Sequence, residues 1–145
     1  MKKVLPLVLI ILSVIGCKSQ EKMKVLYVYD GLCGWCYGFS PVMRQFNEKY
    51  KDHVDVEVIS GGMVTGSRIG PIGEVASYIS KAYLDVEKAT GVAFGKDFLE
   101  KTLKNGDAIF TSVPPAIALS VFKDMRGSNS LSFAADLQKA VYYDG

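Results

Sequence analysis

Tyr27-Val28-Tyr29-Asp30-Gly31-Leu32-Cys33-Gly34-Trp35-Cys36-Tyr37-Gly38-Phe39-Ser40-Pro41 decides how this 145-residue chain is read. The β-branched and aromatic run from Lys24 to Tyr29 predicts a buried strand. An Asp-Gly turn signal stops it and leads directly into Cys-Gly-Trp-Cys. Beyond that, Phe39, Val42, Met43, Phe46 and Tyr50 recur at helical spacing. The two cysteines therefore fall on the first turn of a helix that follows a strand. Free N–H groups and the positive dipole end of a helix favour an anion. The thiolate is the nucleophilic form of cysteine. Cys33 is expected at the tip. Cys36, one turn further in, is expected to pack against the strand and to be able to close a bridge with Cys33.

Simple arithmetic narrows the chemistry of this pair. The chain has three cysteines and one histidine, His53. A structural zinc site takes about four ligands, and iron–sulfur clusters are held by four thiolates, so no metal is expected. An inert structural disulfide would close a very small loop, which adds little stability in the chain-entropy model. A dithiol that opens and closes fits better.

The run from Cys33 to Pro41 resembles the active site of thioredoxin-fold oxidoreductases, most closely the DsbA family and its FrnE-type branch. Its motif, its aromatic neighbours and the proline five positions after the second cysteine carry the resemblance. Ser60-Gly61-Gly62-Met63, Gly70-Pro71-Ile72, Ser112-Val113-Pro114-Pro115 and Tyr142-Tyr143-Asp144-Gly145 extend it along most of the chain. It implies an α/β fold: a thioredoxin-like βαβ unit over 24–63 and an inserted helical domain over 64–145. It also implies thiol–disulfide exchange through Cys33 and Cys36, with no cofactor. Gly34 and Trp35, inside the motif, are expected to tune the pair or meet substrate. Asp30 is a candidate for proton transfer or for binding at the helix mouth, and Pro41 shapes the helix. Cys33 is expected to be acidified mainly by the helix end, because the motif holds no charged partner or imidazole.

The N-terminus reads as a targeting segment. Lys2 and Lys3 precede an apolar run from Val4 to Ile15 that is short for a membrane span. Val14-Ile15-Gly16-Cys17 resembles a bacterial lipobox, which implies removal of 1–16, a lipid on Cys17 and a tether over 17–23. A lipidated Cys17 cannot scramble the Cys33–Cys36 pair. The expected location is the extracytoplasmic side of the bacterial cell envelope, where disulfides persist. Removing Lys2 and Lys3 from 17 basic residues leaves 15, matched by 15 acidic ones. No basic stripe points to nucleic acid. The expected partners are protein thiols and disulfides, a redox partner protein, and the membrane through the lipid.

Downstream, Val54 to Ile59 predicts a second strand, parallel to the first, ended by Ser60-Gly61-Gly62-Met63. The glycine pair reads as a tight turn, with the alternative that it lines the substrate surface. Helices are predicted over Glu74 to Lys88 (with Val75, Ile79, Ala82 and Val86 as an apolar stripe), from a capping box at Asp97 and Glu100 to Asn105-Gly106, from an N-cap at Ser112 through Ala116, Leu119, Val121 and Phe122, and from a cap at Ser130 with Phe133, Leu137 and Val141 inward. His53 and Arg68 read as solvated. In the resembled fold a cis-proline loop, a β-hairpin and a terminal helix follow the insertion. No X-Pro occurs after Pro115, so a C-terminally truncated copy is expected. Two rivals remain: a glutathione-transferase or hydroxychromene-carboxylate-isomerase type of small-molecule enzyme, in which serine usually replaces Cys33, and a non-catalytic lipid-anchored binding module.

Overall fold

The structure is a computed structural model that describes residues 21–126 and 128–145. Cys17 and the segment 1–16 lie outside the described residues. Strand β1 (Met23–Tyr29), helix α1 (Gly34–Tyr50) and strand β2 (Val54–Ser60) form a parallel βαβ unit, paired in register from Met23 with Val54 to Tyr29 with Ser60. A turn through Gly61 and Gly62, the latter at φ +66°, ends β2. After it come a two-residue strand β3 (Gly70–Pro71), helix α2 (Ala76–Thr90), a π-helical turn (Phe98–Thr102) running into α3 (Leu103–Asn105), and β4 (Ile109–Phe110) antiparallel to β3. Helices α4 (Val113–Arg126) and α5 (Ser130–Lys139) follow, and α5 continues as a π-helical turn to Asp144. The β3–β4 ribbon has no counterpart in the sequence reading, because two-residue strands carry no period-2 signal.

The sheet is covered on one face. Tyr27, Tyr29, Val56 and Val58 pack with Met43 and Phe46 of α1, Leu119 of α4, and Leu131 and Ala134 of α5. Successive strand side chains point to opposite faces, so Leu26 and Val28 stand outward, 57% and 60% exposed. The expectation of a buried strand therefore holds for alternate residues only. On the far side of α1, Tyr37 enters a second core with Ile72, Val86, Phe94, Phe98, Leu103 and Tyr142. Edge-on ring contacts of 5.1 to 5.3 Å tie Phe94, Phe98, Tyr37 and Tyr142 together, the geometry that aromatic quadrupoles favour. Helix α1 is thus the wall shared by two cores. Phe39 and Val42, read as part of its apolar stripe, lie outside both and are 45% and 51% exposed.

Three caps differ from expectation. Asp97 has helical backbone and pairs with Lys101 instead of capping. Asn129, in the left-handed region, precedes α5, so Ser130 is its first residue and not its cap. Ser112 does stand before α4, and its carbonyl accepts from Ala116 N, but its hydroxyl bonds elsewhere. Pro114 and Pro115 explain that freedom: lacking amides, they remove two of the orphan donors that a capping side chain would serve.

Gly38, in the second turn of α1, lies directly against α2. A Cβ there would lie 2.6 Å from Val86 Cγ1 and 2.9 Å from Thr90 Cγ2. A glycine inside a helix costs about 0.5–1 kcal/mol relative to alanine, so packing selects it here. Gly38→Ala is expected to destabilise by about 1–3 kcal/mol through overpacking, read as a lower urea midpoint. Adding Val86→Ala should cost less than the sum of the two single changes. Simple additivity would refute the contact.

Candidate active site at the Cys33–Cys36 helix end

Helix α1 begins on a sulfur. Cys33 is its N-cap, with extended backbone, and its Sγ accepts from Cys36 N at 3.2 Å. No acidic residue occupies the first turn to compete for those donors. Both cysteines are free thiols and both are half-buried. The Cys33 thiol is pulled down from its ordinary value to about 6. The largest cause is the Cys36 thiol hydrogen-bonding to it, followed among the lowering effects by the backbone N–H groups of Cys36 and Trp35. The helix end therefore contributes, but it is not the main cause that the sequence reading assigned to it. Burial and the charge of Asp30 push the other way. Cys36 moves in the opposite direction, far up, because its proton is engaged by Cys33 and its sulfur is buried. At neutral pH the pair is one thiolate, on Cys33, and one thiol.

The turn that presents Cys33 is held from remote parts of the chain. Its own geometry closes with Cys33 N on Asp30 O at 3.1 Å. Gln138, on α5 and 1% exposed, donates from Nε2 to Asp30 O at 2.9 Å and to Cys33 O at 3.5 Å. The Tyr142 hydroxyl donates to Leu32 O, and burial keeps that phenol protonated. Three carbonyls of one four-residue turn are thus satisfied by α5 and the turn that follows it. Gly31 lets the turn lie against Pro115 of α4, since a Cβ there would meet Pro115 Cβ at 2.7 Å.

Asp30 is 4% exposed. Its Oδ1 accepts from Leu32 N at 2.9 Å and from Ser112 Oγ at 2.7 Å, and its Oδ2 accepts from Met63 N at 2.7 Å. Ser112 Oγ in turn accepts from Val64 N at 2.9 Å. The sequence-predicted residues are placed as follows. Gly34 stacks under Phe94, with room for a Cβ at 3.6 Å. Trp35 is 51% exposed beside Cys33. Pro41 sits within α1 without ending it. His53 is exposed in the turn before β2. Gln138, Tyr142 and the tie between Asp30 and Ser112 were not read from the sequence. Asp30 was expected to serve proton transfer or binding at the helix mouth, Ser112 to cap α4, and Tyr142 entered only within a terminal motif.

Cys33 opens on a groove of about 510 Å³ between the turn and α2. Its wall is largely apolar, with Trp35, Met63, Ile79, Tyr83 and Phe94, and Arg68 and Glu74 are its charged residues. Ile79, Ala82 and Val86, of the apolar stripe of α2, line this groove, Val86 also belonging to the core, and Val75, the fourth of that stripe, is 39% exposed beside it. Met63, which follows the glycine pair, lines it too. The glycines themselves make the turn. Among the described residues no group of three or more His, Cys, Asp or Glu side chains could hold a metal ion, and no helix is long and apolar enough to cross a membrane.

The parallel βαβ unit followed by a helical layer is a thioredoxin-like fold carrying an inserted helical domain. The chain is similar to solved structures described as disulfide reductases or isomerases. The cytosolic disulfide reductase DsbM from Pseudomonas aeruginosa is 34% identical over 85% of this chain, with a TM-score of 0.75. Its structure with GSH gives 33% and 0.74. A candidate protein disulfide isomerase from Nitrosomonas europaea is 25% identical over 84% of the chain, with a TM-score of 0.68. The chain spans 56–57% of the length of these neighbours. No protein-family model and no curated protein matches it.

Thiolate absorbance at 240 nm in the reduced protein is expected to titrate with a midpoint near pH 6. Cys36→Ala should raise that midpoint markedly by removing its largest cause, because burial and the Asp30 charge then outweigh the helix N–H groups. A thiol whose folded pKa is depressed adds stability that is present above its ordinary pKa and lost as pH falls through the folded one. The reduced protein should therefore gain stability from about pH 6 to about pH 9. Urea midpoints that stay flat across that window would contradict the assignment.

Proposed function

We propose that this chain is a thiol–disulfide oxidoreductase acting on protein disulfides, in the reducing or isomerising direction. The observation that carries it is the division of labour between an ionised, groove-facing Cys33 and a protonated, half-buried Cys36. The Cys33 thiolate attacks one sulfur of a substrate disulfide. An S–S bond forms to Cys33, the substrate S–S bond breaks, and the departing sulfur takes a proton from solvent. Cys36 then loses its proton and attacks Cys33 Sγ, which releases the second substrate thiol. The substrate has gained two electrons and the pair has become the Cys33–Cys36 disulfide. Two equivalents of a low-molecular-weight thiol, or a partner dithiol, return those electrons. Glutathione is the first thiol to try, because a neighbour's structure was solved with it. Trp35 and Met63, exposed on either side of Cys33, offer the substrate contact. Gly34 packs beside the buried Phe94, and Pro41 sets the course of the helix behind. A Cys33 value near 6 lies between those of thioredoxin, about 7, and the oxidant DsbA, about 3.5, which favours reduction or isomerisation over strong oxidation.

The same reading places the domain outside the cytoplasm, tethered by a lipid on Cys17 over residues 17–23, with 24–63 as the redox unit and 64–145 as the helical one. The intact cysteine pair weighs against the isomerase-type rival. A binding module would keep its function in Cys33→Ala.

In an insulin-reduction assay with glutathione and in oxidation of reduced ribonuclease, Cys33→Ala is expected to lose about a hundredfold or more of the rate. Cys36→Ala should accumulate a mixed disulfide through Cys33. Equal rates in wild type and Cys33→Ala would overturn the catalytic reading. For the anchor, Cys17→Ala should abolish incorporation of labelled fatty acid into the full chain expressed in a bacterium. Unchanged labelling would place the lipid elsewhere.

A further inference from the structure

We propose that α4 is the interface of a symmetric homodimer, in which Met125 of each copy fills an apolar groove behind the active-site turn of the other. The proposal goes beyond the redox reading and does not depend on it.

Helix α4 is apolar on two faces. From Val113 to Phe122 it holds no charged residue. Its inner face belongs to the core, where Leu119 joins Tyr29 and Val58 and Phe122 stacks on Phe133 at 4.2 Å. Its outer face carries Val113, Ile117, Val121 and Met125, between 39% and 75% exposed. Steps of four residues make these side chains one ridge along the length of the helix. A helix that is apolar all round belongs between two partners, and a contiguous exposed apolar patch marks a contact surface.

A second feature lies at the N-terminal end of the ridge. A groove of about 540 Å³ opens between that end of α4 and β4, walled by Ile109, Pro114, Pro115 and Ala118, with Leu32 and Leu137 among its other lining residues. Two threonines supply its only polar side chains. The opposite end of the ridge is Met125, the most exposed large apolar side chain among the described residues. Methionine is unbranched and adapts to irregular space. One end of α4 thus offers a knob and the other a hole.

That arrangement selects a second copy of this chain as the occupant. A two-fold axis through the middle of the ridge lays α4 antiparallel on α4 of the other copy. Ile117 then faces Val121 of the second copy, and Met125 reaches the second copy's groove. Each copy gives one Met125 and receives one, so the contact closes at two. The charges agree with this register. Lys123 and Asp124 follow the uncharged run, and antiparallel packing keeps them away from their own counterparts. It also brings Asp124 toward a helix start whose first turn holds no acidic residue. A standard interface takes about 800 Å² from each partner, more than one row of four side chains supplies. Filling both grooves extends the contact beyond the row. Leu32 precedes Cys33, and Pro115 lies against Gly31. The entering Met125 therefore backs the turn that carries the thiolate.

The full chain, made in a bacterium and purified in density-matched detergent, is examined by sedimentation equilibrium. Twice the chain mass is expected. Ile117→Lys and Met125→Asp should each weaken the dimer about tenfold or more, whereas Leu84→Lys, at an exposed position on α2, should leave it intact. Both changes fall on exposed side chains, so a loss of mass reports the contact and not the fold. The register is read separately. A photoreactive phenylalanine analogue in place of Met125, in a mixture of light and isotopically heavy chains, should crosslink light to heavy copies within the segment 109–118. A wild-type monomer at about 100 µM, a dimer indifferent to both substitutions, a mass above two chains, or crosslinks from position 125 that fall elsewhere would overturn the proposal.

Discussion

Everything at the functional end of this molecule depends on a helix whose N-terminal donors are answered by a sulfur. Every α-helix opens with N–H groups that lack intrahelical partners, and most chains supply Ser, Thr, Asp or Asn to meet one of them. Here Cys33 takes that place, with its Sγ 3.2 Å from Cys36 N. Sulfur is a weak acceptor as a thiol and a good one as a thiolate, so the unmet need of the helix end becomes a force that ionises the cysteine. The spacing adds a second effect. An i, i+3 relation at a helix start brings the Cys36 thiol onto the same sulfur, and that contact outweighs the backbone donors. One local geometry thus produces the nucleophile, keeps the resolving thiol protonated, and places the two sulfurs side by side.

Such a geometry survives only if the turn before the helix is rigid. Asp30 to Cys33 has little regular structure of its own. Its carbonyls would be costly to leave unmet in a buried setting. The chain meets them from its far end, through Gln138 on α5 and Tyr142 just after it. Gln138 sits in a helix face otherwise filled by Leu131, Ala134 and Ala135. A buried amide among aliphatic residues is stabilising only when its partners are fixed, and the turn fixes them. The helical layer is therefore more than a lid over an active site. It completes the hydrogen bonding of the loop that carries the thiolate.

This division explains what could be read from the sequence and what could not. The strand, the Asp-Gly stop and the helical spacing after Cys36 are local signals, and they located β1, α1 and the two cysteines. Gly91 and Gly106 announced the ends of α2 and α3 for the same reason: a left-handed residue after a helix is a local requirement. The bonds from Ser112, Gln138 and Tyr142 span 82 to 110 residues. A single sequence carries no period or spacing that marks them. Ser112 shows how a sound local rule is displaced. A serine before two prolines reads as an N-cap, yet those prolines remove the amides it would have capped, and its hydroxyl turns to Asp30. The stripe on α2 is visible by its period. In the folded chain Val86 belongs to the aromatic core, and with Ile79 and Ala82 it also lines the groove that Cys33 faces. Periodicity identifies an apolar face. It does not say whether that face meets a core or a substrate.

The redox character of the pair then follows from a contest over one sulfur. The Cys36 thiol and the helix N–H groups favour the thiolate, while burial and the Asp30 carboxylate oppose it. The two sides are built by different parts of the fold. The favourable side comes from two consecutive helical residues, Trp35 and Cys36, and is local to the CxxC turn. The opposing side needs tertiary structure: a carboxylate sealed by Met63 N and Ser112 Oγ, and a helical layer that removes water from it. A strand–turn–helix fragment alone would lack that seal. Solvent would screen its aspartate, and its cysteine would be the more stable thiolate.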